Sequence, residues 1–284
     1  MAFKGQQGMG REPHWDLVKR IITESDLVLE ILDARLVELS RNEEVERLIE
    51  SVGRPMIFVI NKSDLVSDES VKEQADKLRE KGEVVFISTK KKGSGKILLY
   101  TIKKVFKKYG KREFEVRDKF APKPKYREAM ANIVVGVLGY PNVGKSSIIN
   151  VLAHKKKAKV SKKSGTTHGI HWISISQEIK LIDSPGVIPL QKEDEIRYGL
   201  IGAKDNEALK NPGLVAYAII KLFLEKNKKA FEEFYNIEMS ESVEDIINKI
   251  AEKKAFLLKG GIFDENRTFA IIVRDWQEGR LRLD

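Results

Sequence analysis

The sequence predicts a three-layer α/β fold with a mostly parallel sheet, followed by a helical C-terminal domain. Three observations carry that reading. Short apolar runs alternate with helix-period segments up to about residue 190, and several runs are continuously apolar, as strands covered on both faces are. A glycine-rich loop stands between one such run and a helical pattern. From about Leu190 onward the pattern is helical, with no internal repeat. The expected division is therefore 1–190 and 191–284.

Taken in order, residues 15–22 have helical spacing, and Asp26-Leu-Val-Leu-Glu-Ile-Leu-Asp33 reads as a buried strand running into Ala34-Arg35. A helix over about 42–51 leads through Gly53 and Pro55 to the apolar strand 56–60, which ends in Asn61-Lys62-Ser63-Asp64. A charged amphipathic helix over 69–81 stops at Gly82, and strand 84–87 then runs into Ser88-Thr89-Lys90. A Gly93-Ser94-Gly95 turn opens a helix over 96–109. Residues 110–130, rich in Lys and Arg and holding Pro122 and Pro124, read as a linker. Strand 133–138, a Gly loop and a helix to about His154 come next, then two strands around 170–176 and 178–182.

Composition narrows the chemistry. The 284 residues include no cysteine, which excludes disulfides, thiolate zinc sites, iron–sulfur clusters and thiol nucleophiles. No apolar run approaches the ~20 residues that span a bilayer, and residues 1–11 are polar, so no membrane partner and a cytoplasmic location are expected. The net charge of +10 favours a polyanionic partner, nucleic acid above all; a Lys/Glu-rich, cysteine-free composition also fits adaptation to heat.

Gly139-x4-Gly144-Lys145-Ser146 is a phosphate-binding loop by its residue types. Glycines let the amides of Asn142, Val143, Gly144, Lys145, Ser146 and Ser147 approach phosphate oxygens at a helix N-terminus. Lys145 should reach the β and γ phosphates, and the Ser146 hydroxyl should bind Mg²⁺. Asn61-Lys62-Ser63-Asp64 after a buried strand is a guanine-reading motif, in which Asp64 accepts from the N1–H and exocyclic amine. Adenine lacks that donor pair, so a buried carboxylate would be left unpaired. Ser88-Thr89-Lys90 supports it, with its backbone facing the guanine O6. The plainer reading of Asp64 as a helix cap loses ground once both motifs follow strands. Asp183-Ser184-Pro185-Gly186 offers an Asp for Mg²⁺ and an amide at Gly186 that can sense the γ-phosphate. In Gly165-Thr166-Thr167-His168, Thr167 rather than Thr166 would complete the magnesium shell.

The base-reading motifs precede the phosphate loop, an inversion of the usual order. With Asp33-Ala34-Arg35 and the Gly-Tyr-Pro-Asn-Val-Gly-Lys-Ser-Ser string, that inversion resembles the YlqF/RbgA-type circularly permuted P-loop GTPases and their archaeal and nucleolar relatives. Residues 269–281 resemble that family's C-terminal segment, so the likeness covers essentially the whole chain. The resemblance implies GTP hydrolysis to GDP and phosphate, and assembly of the large ribosomal subunit through nucleotide-dependent binding of ribosomal RNA by a monomer. It implies that Asn142 holds a K⁺ ion and that catalysis draws on Lys145, Asn142, Thr167, Gly186 and His14. Two departures stand out: Val187 follows Gly186 where Ras-like proteins carry glutamine, and Pro13 precedes His14 where the family has Gly. Basic residues Arg267, Arg274, Arg280 and Arg282, with the runs 103–127 and 155–163, are candidate RNA contacts. Two alternatives stay open: a GTPase of tRNA modification or stress response, and a GTP-gated RNA-binding scaffold with little turnover.

Overall fold

A computed structural model describes residues 13–109, 133–153, 160–161, 170–183, 188 and 194–283. The expected linker, Thr167 and Gly186 lie outside them.

The chain opens with α1 (Pro13–Glu24), β1 (Leu27–Asp33), α2 (Val37–Ser40), α3 (Glu43–Val52), β2 (Met56–Asn61), α4 (Asp68–Arg79), β3 (Glu83–Phe86) and α5 (Ser94–Tyr109). It continues with β4 (Ile133–Leu138), α6 (Lys145–Leu152), β5 (Val160–Ser161), β6 (His171–Ser174) and β7 (Ile179–Asp183). Helices α7 (Glu195–Leu200), α8 (Pro212–Lys226), α9 (Lys228–Tyr235), α10 (Val243–Lys253) and α11 (Glu265–Gln277) complete it.

Seven strands form one sheet in the order β3-β2-β1-β4-β7-β6-β5. The central pairs, β1 with β2 and β4, β2 with β3, and β4 with β7, are parallel. Only β6 pairs antiparallel to β7, and β5 to β6, at one edge. The chain thus starts in mid-sheet, builds outward to β3, returns beside β1 as β4, and builds outward the other way. Reversing the winding puts helices on opposite faces; α1 packs with α3, and α5 with α6. Residues of β1 and β2 are buried throughout, which is why their sequence is apolar without alternation.

Helix ends obey local chemistry. The Asn42 side chain accepts from the Val45 amide to start α3, and Gly53, at φ 73°, ends it. Asn211 caps α8 ahead of Pro212, and Asp264 caps α11. Two apolar cores result. One fills the sheet and its helices; the other gathers α8, α9, α10 and α11 around Phe223, Phe231 and Trp276. Helix α7 serves both, since Tyr198 packs in the first and Leu200 in the second. Leu36 touches both as well. Among the described residues no helix is long and apolar enough to cross a membrane.

Candidate guanine-nucleotide site

The phosphate loop leaves the sheet at its centre. Val137 of β4 pairs with Asp183 of β7, so the Gly139–Gly144 turn and Asp183 emerge from neighbouring strands. The turn enters positive φ at Gly139 (148°), Asn142 (59°) and Gly144 (102°). Glycine is required at the last of these on two counts: the backbone is left-handed, and a Cβ would lie 2.1 Å from the Asn61 amide nitrogen. Lys145 is buried and donates to the carbonyls of Gly139 and Tyr140, both at 2.7 Å, which folds the loop around its ammonium. Burial pushes its pKa down to about 8, with Asp183 opposing the shift. Val143 is buried, whereas Ser146 and Ser147 stand exposed on the first turn of α6.

The base-reading motif meets this loop directly. Asn61, the last residue of β2, donates from Nδ2 to the Val143 carbonyl at 2.8 Å. Its neighbour Lys62 adopts φ 61° and sends its ammonium to Asp33, 2.8 Å away. Asp64 accepts from the Ser88 hydroxyl at 2.7 Å, and Lys90 stands 3.3 Å from its other oxygen. Burial works to raise the Asp64 pKa, but the Ser88 hydroxyl and Lys90 outweigh it and hold the carboxyl below its ordinary value, so it is ionised. The Ser63 amide donates to the Ile87 carbonyl, joining this loop to 88–90, and the Lys90 amide reaches the Ser88 hydroxyl. Thr89 is half-buried between them.

The structure thus brings Asn61, Lys62, Asp64, Ser88, Thr89 and Lys90 together on one side, and Val143 through Ser147 with Asp183 on the other. The side-chain oxygens of Ser146, on the first turn of α6, and of Asp183, at the end of β7, suit a hard cation such as Mg²⁺. Asn142 donates to Asp205 at 2.8 Å, directing its side chain toward the C-terminal helices. His14 is exposed on the first turn of α1, and among the described residues no hydrogen bond or ion pair joins it to these motifs.

Other residues support the site without standing out in the sequence. Glu30 interrupts the apolar run of β1 and is fully buried. Burial, with Glu46 nearby, pushes its pKa up to about 8, and its carboxyl accepts from the Asn42 amide. Asn42 in turn donates to the Tyr140 hydroxyl, and Ser40 donates to the Val37 carbonyl while accepting from the Asp33 amide. The charge inside an apolar run is the available signal; its partners, far along the chain, carry none.

Comparison with known proteins agrees with this geometry. The family model described as "50S ribosome-binding GTPase" matches residues 134–258, from the strand before the phosphate loop into the C-terminal helices. An uncharacterized GTP-binding protein of Methanocaldococcus jannaschii is 35% identical over 265 residues, covering 93% of this chain and 65% of that protein. The chain therefore spans less than the full length of that archaeal relative. Ribosome biogenesis GTPase A of Bacillus cereus is 30% identical over 277 residues, covering 94% of this chain and 89% of its own. The crystal structure of GNP-bound YlqF from T. maritima superimposes with a TM-score of 0.60 at 20% identity over 96% of both chains, a likeness of fold. With a permuted site of this construction and a relative aligned along nearly its whole length, the chain belongs to the YlqF/RbgA-type ribosome biogenesis GTPases.

Proposed function

We propose that this protein hydrolyses GTP to GDP and phosphate while it acts in assembly of the large ribosomal subunit, binding ribosomal RNA in the GTP state. The observation that carries the reading is the hydrogen bond from Asn61 to the Val143 carbonyl, which joins segments 82 residues apart into one pocket. Asp64 reads the guanine N1–H and exocyclic amine, Ser88–Lys90 faces O6, and adenine is rejected because it lacks that donor pair and turns its N1 lone pair toward the carboxylate. The amides of Asn142 to Ser147 and the Lys145 ammonium hold the phosphates, which restore Lys145 to full protonation. Ser146, Asp183 and Thr167 would hold Mg²⁺, which supplies charge neutralisation at the β and γ phosphates. Gly186 would sense the γ-phosphate, the Asn142 side-chain oxygen would hold K⁺, and His14 is a candidate for orienting water in a chain that lacks the Ras glutamine.

The protein is a cytoplasmic monomer in this reading, with a boundary near residue 190. Exposed Arg267, Arg274, Arg280 and Arg282 on or near α11 serve as phosphate contacts that position RNA. The reading is tested by sedimenting the protein with precursor large subunits in a non-hydrolysable GTP analogue and in GDP. Co-sedimentation confined to the analogue is expected; equal absence in both states would reject the ribosomal role. Turnover that is unmeasurable in both K⁺ and Na⁺ would instead favour a GTP-gated scaffold.

A further inference from the structure

A chain of buried contacts leads from the base-reading loop to the C-terminal helices. Lys62 donates to Asp33, whose side chain is 1% exposed. Arg35 grips the same carboxylate as a fork, Nε at 3.0 Å from one oxygen and Nη2 at 2.7 Å from the other. Its remaining nitrogen, Nη1, donates to the Trp276 carbonyl at the end of α11, and its guanidinium carbon lies 4.5 Å from the centre of the Trp276 ring. Trp276 donates from its indole to the Leu200 carbonyl at 2.7 Å, and Gln277 donates to the carbonyls of Gly199 and Lys204 at 2.9 Å. Gly279, at φ 70°, abuts Leu65, where a Cβ would come within 2.8 Å. The end of α11 is therefore tied to both sides of Asp64.

We propose that Arg35 is a positioning residue that couples guanine binding to the docking of α11, by a route that does not need the γ-phosphate. It rests on the guanine-nucleotide reading above. A base held by Asn61–Asp64 fixes Lys62, Lys62 fixes Asp33, and the planar guanidinium cannot turn without releasing either Asp33 or Trp276. Coupling of this kind is reciprocal: undocking α11 by mutation weakens guanine nucleotides by the same factor that nucleotide strengthens docking.

Hydrogen–deuterium exchange on the whole chain tests it, reading peptides that cover 139–147 and 273–281 in the absence of nucleotide, with GDP and with a GTP analogue. GDP is expected to protect both segments, and the analogue to protect 273–281 no further. In Arg35→Lys, which keeps a cation beside Asp33 but loses the fork and the ring contact, GDP should still protect 139–147 while 273–281 exchanges as in the free protein. GDP affinity should fall about tenfold or more with the GTP-to-GDP ratio unchanged. Protection of 273–281 by the analogue alone, or retained in Arg35→Lys, would overturn the proposal. The wild-type arm decides the matter even if the variant does not fold. Failure of any guanine nucleotide to protect 139–147 would remove the underlying site assignment, and the coupling with it.

Discussion

Lys145 is a buried cation whose surroundings disfavour charge until a polyanion arrives. Its depressed pKa means the free protein begins to shed this proton as pH rises past about 8, whereas phosphate contact retains it. GDP affinity should therefore be constant below that pH and fall by up to tenfold per unit above it; titration calorimetry from pH 7 to 9.5 measures both affinity and accompanying proton uptake. Lys145→Ala should lose nucleotide binding at every pH. Glu30 has the opposite sense. Its folded pKa is raised to about 8, so the folded protein keeps a proton that the unfolded chain releases above the ordinary carboxylate range. Its contribution to stability is complete in acid and declines as pH rises toward 8. Glu30→Gln should flatten that decline and leave the variant more stable than the parent at pH 8, by on the order of 1 kcal/mol. Urea unfolding at pH 5.5 and 8 would show it, and an unchanged pH slope would show that Glu30 is charged in the folded state.

At the scale of elements, the strand-to-loop junctions do the positioning. β2 delivers Asn61 to the phosphate loop, and Gly144 leaves the room that this contact needs. Gly144→Ala should push the two loops apart, weaken GTP and GDP at least ~100-fold, or about 3 kcal/mol, and lower the melting temperature through backbone strain; fluorescent-nucleotide titration and thermal unfolding give the answer. These junctions are legible in the sequence because continuous apolar runs announce parallel strands and the motifs come directly after them. Boundaries differ by a residue or two: β3 is Glu83–Phe86 rather than 84–87, and α6 ends at Leu152 rather than near 154. The part that sequence hides depends on contacts between distant segments. Asp33-Ala34-Arg35 is legible as a string, yet its carbonyl partner lies 241 residues away. Likewise Asn142 meets Asp205 across 63 residues, and no local periodicity reports such a pair.

For the molecule as a whole, permutation changes which segment comes after Asp183. β7 ends at Asp183, and the next regular helix, α7, already belongs to both cores. A γ-phosphate sensed at Gly186 would therefore act on the segment leading into α7, while Arg35 and Trp276 hold the far end of the C-terminal helices as a pivot. Small-angle scattering should give distinguishable curves with a GTP analogue and with GDP; a single curve for both would reject a nucleotide-driven rearrangement. The same Arg35 contact bears on any attempt to divide the chain near residue 190. A fragment ending there would keep the guanidinium on Asp33 but lose the backbone oxygen and indole that cover it, opening that buried ion pair and Leu36 to solvent. Severing the polypeptide at its apparent seam would leave an open wound beside the purine pocket, so a self-sufficient nucleotide-binding half would first need a new lining for that surface.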